Sequence, residues 1–146
     1  MRATYRTIAL LIALAVVVQA AAIAFGTFGI INEIDSGTAL TSNSDAPNFG
    51  PALHAINGTM VIPILSLALL IVSFFAKVHR GIRWALLIFA VVVVQIFLAF
   101  FSFETPAVGL VHGVNAFVVL GLALTAARAA GEVRTPAATV VEDAIA

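Results

Sequence analysis

Four long apolar stretches run along the chain, separated by short polar connections. They cover roughly residues 8–31, 52–76, 84–103 and 107–128, each meeting the ~20 residues a helix needs to cross a ~30 Å hydrocarbon core. The pattern predicts an all-α integral membrane protein, with four transmembrane helices in one bundle domain over residues 1–128. Residues 32–51 form a long polar connection, a length typical of lids, binding loops or solvated loops. Residues 129–146 are polar and contain proline, and are expected to form a flexible tail. Arg2 and Arg6 precede the first stretch as in a signal peptide, but its apolar core is too long for one.

The stretches repeat. The first reads ALLIALAVVVQAAAIAF and the third ALLIFAVVVVQIFLAFF, aligned on Gln19 and Gln95. The second and fourth open with His54-Ala55-Ile56-Asn57 and His112-Gly113-Val114-Asn115. Shared apolar residues alone would mean little, but the matched Gln, His and Asn favour two copies of one helical hairpin. Two hairpins of the same topology imply a pseudo-two-fold axis along the membrane normal.

Composition agrees: 62% of the 146 residues are hydrophobic and 10% are charged, too apolar for a soluble domain of this size. Charge placement then sets orientation. Arg2, Arg6, Lys77, Arg80, Arg83, Arg128 and Arg134 all fall on one side of the predicted helices. Glu33, Asp35, Asp45 and Glu104 fall on the other. The positive-inside rule makes the basic side cytoplasmic, with both termini there. Six arginines to one lysine, with heavy Ala and Val usage, suggest a GC-rich bacterial genome and hence the bacterial inner membrane. The short basic connection 77–83, with His79, suits anionic headgroups. With no cysteine there is no disulfide, thiolate or iron–sulfur site. No nucleophile triad, phosphate loop or nucleic-acid-binding helix is present, so nothing identifies a catalytic residue and no nucleic-acid partner is expected. Asn57-Gly58-Thr59 matches a glycosylation sequon, but within a membrane helix the match has no consequence.

The polar residues inside the apolar stretches carry the candidate chemistry, because such groups are costly in hydrocarbon. His54 and Asn57 share a helix face, as do His112 and Asn115. Diagonal second and fourth helices would turn the two imidazoles toward each other near the outer face. Facing imidazoles in a membrane bundle suit bis-axial ligation of haem iron, here haem b. Asn57, Asn115, Gln19 and Gln95 would orient the rings or line the pocket. Small residues would admit a flat ring: Gly58 and Ala116 after each Asn, with Gly109, Gly50 and Pro51 above the histidines and Ala15, Ala22, Gly26, Ala99 and Ser102 near the glutamines. Helix N-termini favour neutral, iron-ligating imidazole and could receive propionates. With no outer Lys or Arg, Thr41, Ser42, Ser44, Asn48 and backbone amides would have to serve the propionates. The expected role is electron transfer or haem handling, with a quinol, a redox partner subunit or another copy of the chain completing the circuit.

Two other readings stand beside this one. In a non-catalytic assembly or accessory subunit, the polar residues would only fix helix register. In an outer-face Zn or Cu protein, His54, His112, Glu33 and Glu104 would surround the ion. Gly26-x-x-Gly29 and Gly109-x-x-x-Gly113 are faces that permit self-association.

The order Gln19, His54, Gln95, His112 over roughly residues 8–128 resembles one four-helix half of haem A synthase. The resemblance implies a haem site between His54 and His112, with Gln19 and Gln95 at the matching polar positions. That family carries an acidic catalytic residue close before the helix-2 histidine, and often a cysteine pair. Here the nearest preceding acid is Asp45, nine residues away, so the oxidising activity is not carried over. The chain also looks like small uncharacterised four-helix membrane proteins of actinobacteria, a likeness that implies no function.

Overall fold

A computed structural model describes residues 1–41 and 44–131. Four helices, each long and apolar enough to cross a membrane, account for most of them: α1 (Arg2–Asp35), α2 (Gly50–Ala76), α3 (Gly81–Glu104) and α4 (Val108–Gly131). Among the described residues there is no strand. Each helix packs on its chain neighbours, and α4 packs back on α1, so α2 and α4 are diagonal, as are α1 and α3. The expected tail begins later than residue 129, because α4 continues to Gly131; the rest of it, with Arg134, lies outside the described residues.

α1 is longer than its apolar pattern. Its 34 residues span about 51 Å at 1.5 Å per residue, more than the hydrocarbon core. The helix therefore continues through Arg2 and Arg6 at one end and Glu33 and Asp35 at the other, and the long connection shrinks to residues 36–49. The last part of that connection is bound to the side of α1. Asn48 donates from Nδ2 to the Phe25 carbonyl (2.9 Å) and accepts the Gly50 N–H at Oδ1 (2.9 Å). A Cβ on Gly29 would collide with Asn48, and one on Gly26 would lie 2.8 Å from Pro51 Cδ. Gly26 and Gly29, read above as a self-association face, are instead where the start of α2 docks.

The close-packed core lies toward the basic end, and the same positions build it in both hairpins. In α1 they are Tyr5, Ala9, Ile12 and Val16; in α3 they are Gly81, Ala85, Ile88 and Val92. Counted from Gln19 and Gln95, the two sets coincide. Tyr5 even meets its counterpart, donating its hydroxyl to the Gly81 carbonyl at 2.9 Å. In α4 the buried positions include Val119, Ala123, Ala126 and Ala130; in α2 they include Ile62, Ser66, Leu69 and Ser73. Counted from the histidines, each α2 position comes one residue late.

That extra residue is a π-helical turn, Asn57–Val61, within α2. The Ile62 N–H reaches back five residues to the Asn57 carbonyl. Pro63 explains the turn's location: it has no N–H for the carbonyl four residues earlier and crowds it. Within the turn, Thr59 donates Oγ1 to the Ala55 carbonyl at 2.7 Å. One inserted residue rotates the two parts of a helix by about 100° relative to each other. With it, the His54 face and the Ser66–Leu69 face both turn inward.

Candidate functional site

The half of the bundle toward the acidic end is built differently. No α3 residue after Val92 and no α4 residue before Val119 is fully buried. This half contains His54 and His112, and in it α1 and α2 still bury Ala22, Gly26 and Gly50. Their ring centroids are 6.3 Å apart, with planes inclined at 55°. The diagonal placement of α2 and α4 thus brings the two sequence-predicted histidines together, and both are half-buried.

Each ring is held by its own hairpin in the same way. His54 Nδ1 lies 3.2 Å from the Gln19 carbonyl, and His112 Nδ1 lies 3.2 Å from the Gln95 carbonyl. A carbonyl oxygen only accepts, so Nδ1 carries the proton in both rings. A neutral imidazole protonated there has its lone pair on Nε2. This second bond from Nδ1 is how metal-ligating histidines are commonly oriented. The asparagines repeat as well. Asn57 donates to the Ala15 carbonyl (2.8 Å) and to Gln19 Oε1 (3.1 Å); Asn115 donates to the Val91 carbonyl (3.2 Å) and to Gln95 Oε1 (2.6 Å). Ala15 and Val91 each precede their glutamine by four residues, so all four bonds correspond. The six polar residues singled out in the sequence form two matched triads.

The glutamine amides break the match. Gln95 Nε2 turns to His112, lying 3.0 Å from its carbonyl and 3.2 Å from its Nε2. Gln19 Nε2 instead lies over Gly58, where an added Cβ would be 2.5 Å away. In the other hairpin that position is Ala116, which carries a methyl group there. Gly58 is therefore what lets Gln19 leave His54 Nε2 without a protein partner among the described residues. Gly58→Ala should turn Gln19 toward His54 as Gln95 is turned toward His112. The far end of a flexible side chain can yield, so stability should change by less than about 0.5 kcal/mol. The His54 ring-nitrogen NMR shifts should move toward those of His112; unchanged shifts would sink the explanation.

The other expected participants are not brought in. Among the described residues there is no group of three or more His, Cys, Asp or Glu side chains that could hold a metal ion, so Glu33 and Glu104 do not join the histidines. Asn48, proposed above for propionates, is occupied in docking α2 on α1. Ser44 bonds Thr41, receiving its backbone N–H on Oγ at 2.9 Å. Of the small residues, Gly109 has only the Ser102 side chain near it, 3.8 Å from an added Cβ, whereas Gly50 is filled by the α1 backbone. The π turn is the feature missed in the sequence; Pro63 soon after the first His-x-x-Asn, with no proline at the matching place in α4, was its signal.

Comparison with protein-family models, curated proteins and solved structures finds no match for this chain.

Proposed function

We propose that this is a multi-pass protein of the bacterial inner membrane, built from two copies of one hairpin, that holds one b-type haem between His54 and His112. The observation that carries the reading is the imidazole pair. Metal–imidazole bonds of about 2.0–2.1 Å, plus the distance from nitrogen to ring centre on each side, put two trans ring centroids about 6 Å apart. The observed separation is 6.3 Å. Both rings have Nδ1 tied to a carbonyl, which leaves Nε2 as the ligating atom.

The donor set also favours haem over a bare ion. Two protein ligands are too few for a closed zinc site. They suffice for haem iron, which takes its equatorial nitrogens from the porphyrin. Bound haem would supply a one-electron ferric–ferrous couple. His54 and His112 would hold it, the Gln19 and Gln95 carbonyls would fix the rings, and Asn57 and Asn115 would fix the glutamines. Gln95 Nε2 must leave His112 for the pair to close, whereas His54 is already free of its glutamine amide. The acidic end has no cation for the propionates: residues 7–76 and 84–127 contain no Lys or Arg. The propionates would therefore reach water at that end. The basic end lies in the cytoplasm on this reading, with both termini, so the haem sits near the outer face. One haem there cannot carry electrons across the bilayer alone; a quinol, a partner subunit or a second copy must take part.

The test is haem content. Protein purified from haem-replete cells should contain one protohaem per chain in a pyridine haemochrome assay; haem-free protein would refute the proposal. One observation favours a second reading, that of an accessory subunit with purely structural polar residues. Each of the six polar side chains already has a hydrogen bond within its own hairpin. That reading predicts colourless protein.

A further inference from the structure

An apolar groove of about 380 Å³ lies on the membrane-facing side between α1 and α2. Leu11, Leu14, Ala15 and Val18 form one wall, and Asn57, Val61 and Leu65 the other. It runs along the helices from Asn57 and Val18 toward Leu11 and Leu65, nearer the basic end. Asn57 is its one polar side chain and is only 5% exposed. Both Nδ2 hydrogens of Asn57 are engaged, by the Ala15 carbonyl and Gln19 Oε1. Its Oδ1 accepts no hydrogen bond among the described residues. The groove therefore presents a side-chain acceptor with no protein donor among the described residues, a costly state in apolar surroundings. Lipid acyl chains cannot donate to it. Carbonyl-bearing molecules cannot either.

We propose that this groove binds an isoprenoid quinol, with one quinol hydroxyl donating to Asn57 Oδ1 and the tail lying along Leu14, Val61 and Leu65. The need for a donor at the head of an apolar chain follows from the groove alone. The choice of a quinol over other membrane alcohols rests on the haem reading. Asn57 bonds Gln19 Oε1, and the Gln19 carbonyl holds His54, so the hydroxyl would sit beside the residues that orient the proposed ligand. Because the site offers only an acceptor, it distinguishes redox states: a quinol donates, and its oxidised quinone has only carbonyls.

The experiment uses the full chain in lipid nanodiscs, as purified and after haem addition. A short-tailed naphthoquinol under reducing conditions, its quinone, and farnesol are each added, and retained ligand is extracted and quantified. The quinol should be retained at one per chain and about fivefold more tightly than the quinone, the ratio one hydrogen bond of average strength gives. Leu14→Trp, at a lipid-facing position, should abolish retention by filling the groove, and Asn57→Leu should remove the preference for quinol. Leu86→Trp, on the exposed side of α3, should change neither. Quinol retention unaffected by Leu14→Trp, equal retention of quinol and quinone, or equal retention of farnesol would each overturn the proposal. Retention is read separately from colour. Haem-free protein that keeps the quinol preference would refute the haem site and leave the groove; coloured protein without retention would do the reverse.

Discussion

Replacing His112 by alanine is expected to convert a six-coordinate low-spin haem protein into a five-coordinate high-spin one, and His54→Ala should do the same from the other side. Each substitution would remove one of the two proposed iron ligands and leave the other ring on its Gln carbonyl. Haem retention through purification should fall about tenfold or more, since one of two iron bonds is lost, a change of at least about 1.4 kcal/mol. Imidazole added at millimolar concentration should restore the low-spin spectrum in either variant by filling the vacated position. Both variants should shift the spectrum in the same direction, because Nδ1 of each ring is held by its glutamine carbonyl in the same way. If they were only polar glue, each would contribute about 0.6 kcal/mol, the average for hydrogen bonds between membrane helices, and neither variant would change any spectrum. Unchanged spectra in both variants of a coloured protein would reject the ligand assignment.

Gly50→Ala should be the most damaging substitution away from the histidines. A Cβ at Gly50 would lie 2.5 Å from the Ala22 carbonyl oxygen and 2.6 Å from the Gly26 nitrogen. Both are backbone atoms of α1, and neither can rotate away. The start of α2 would have to move off α1, and His54 lies one turn further along. Overpacking of this kind costs about 1–3 kcal/mol, and here it would also pull one imidazole from the other. Thermal unfolding in detergent should show the loss of stability, and haem content should fall with it. Gly113→Ala is the matched comparison: with nothing within 4 Å of the added Cβ, it should change stability by less than about 0.5 kcal/mol. Equal effects of the two substitutions would contradict the account of how α2 is seated.

The helices and the paired histidines were legible because they depend on coarse signals. Apolar runs of spanning length give the four helices, and the chemistry stands out because few polar residues interrupt them. Ends and faces were less legible. α1 runs through Arg2 and Asp35 because a helix crossing a bilayer can continue into water, where charged residues no longer mark its limit. Faces could not be read from periodicity, since lipid-facing and core-facing positions are equally apolar. Phe117 and Val119 are near neighbours in α4, yet one is 73% exposed and the other 2%. For the same reason Gly26 and Gly29 looked like a surface for another chain. The π turn was hidden because the hairpins align without a gap around His-x-x-Asn, and the one-residue offset becomes visible only as a shift in which positions are buried.

The matched triads have consequences for how the site would work. Only one half has its Nε2 engaged by a glutamine amide, so the two histidines should differ in readiness although they are held alike. His54 would hold haem iron through a free Nε2, whereas at His112 the Gln95 amide would have to turn away from Nε2. The buried core near Tyr5 and Gly81 holds the two hairpins in register.

The most direct measurement is the absorption spectrum of the purified full chain, recorded oxidised and then reduced with dithionite. The spectrum should be that of a low-spin b-type haem, with sharp α and β bands on reduction and no signal of an open coordination position. A colourless preparation from haem-replete cells, or a haem whose spectrum is high-spin in both states, would contradict it.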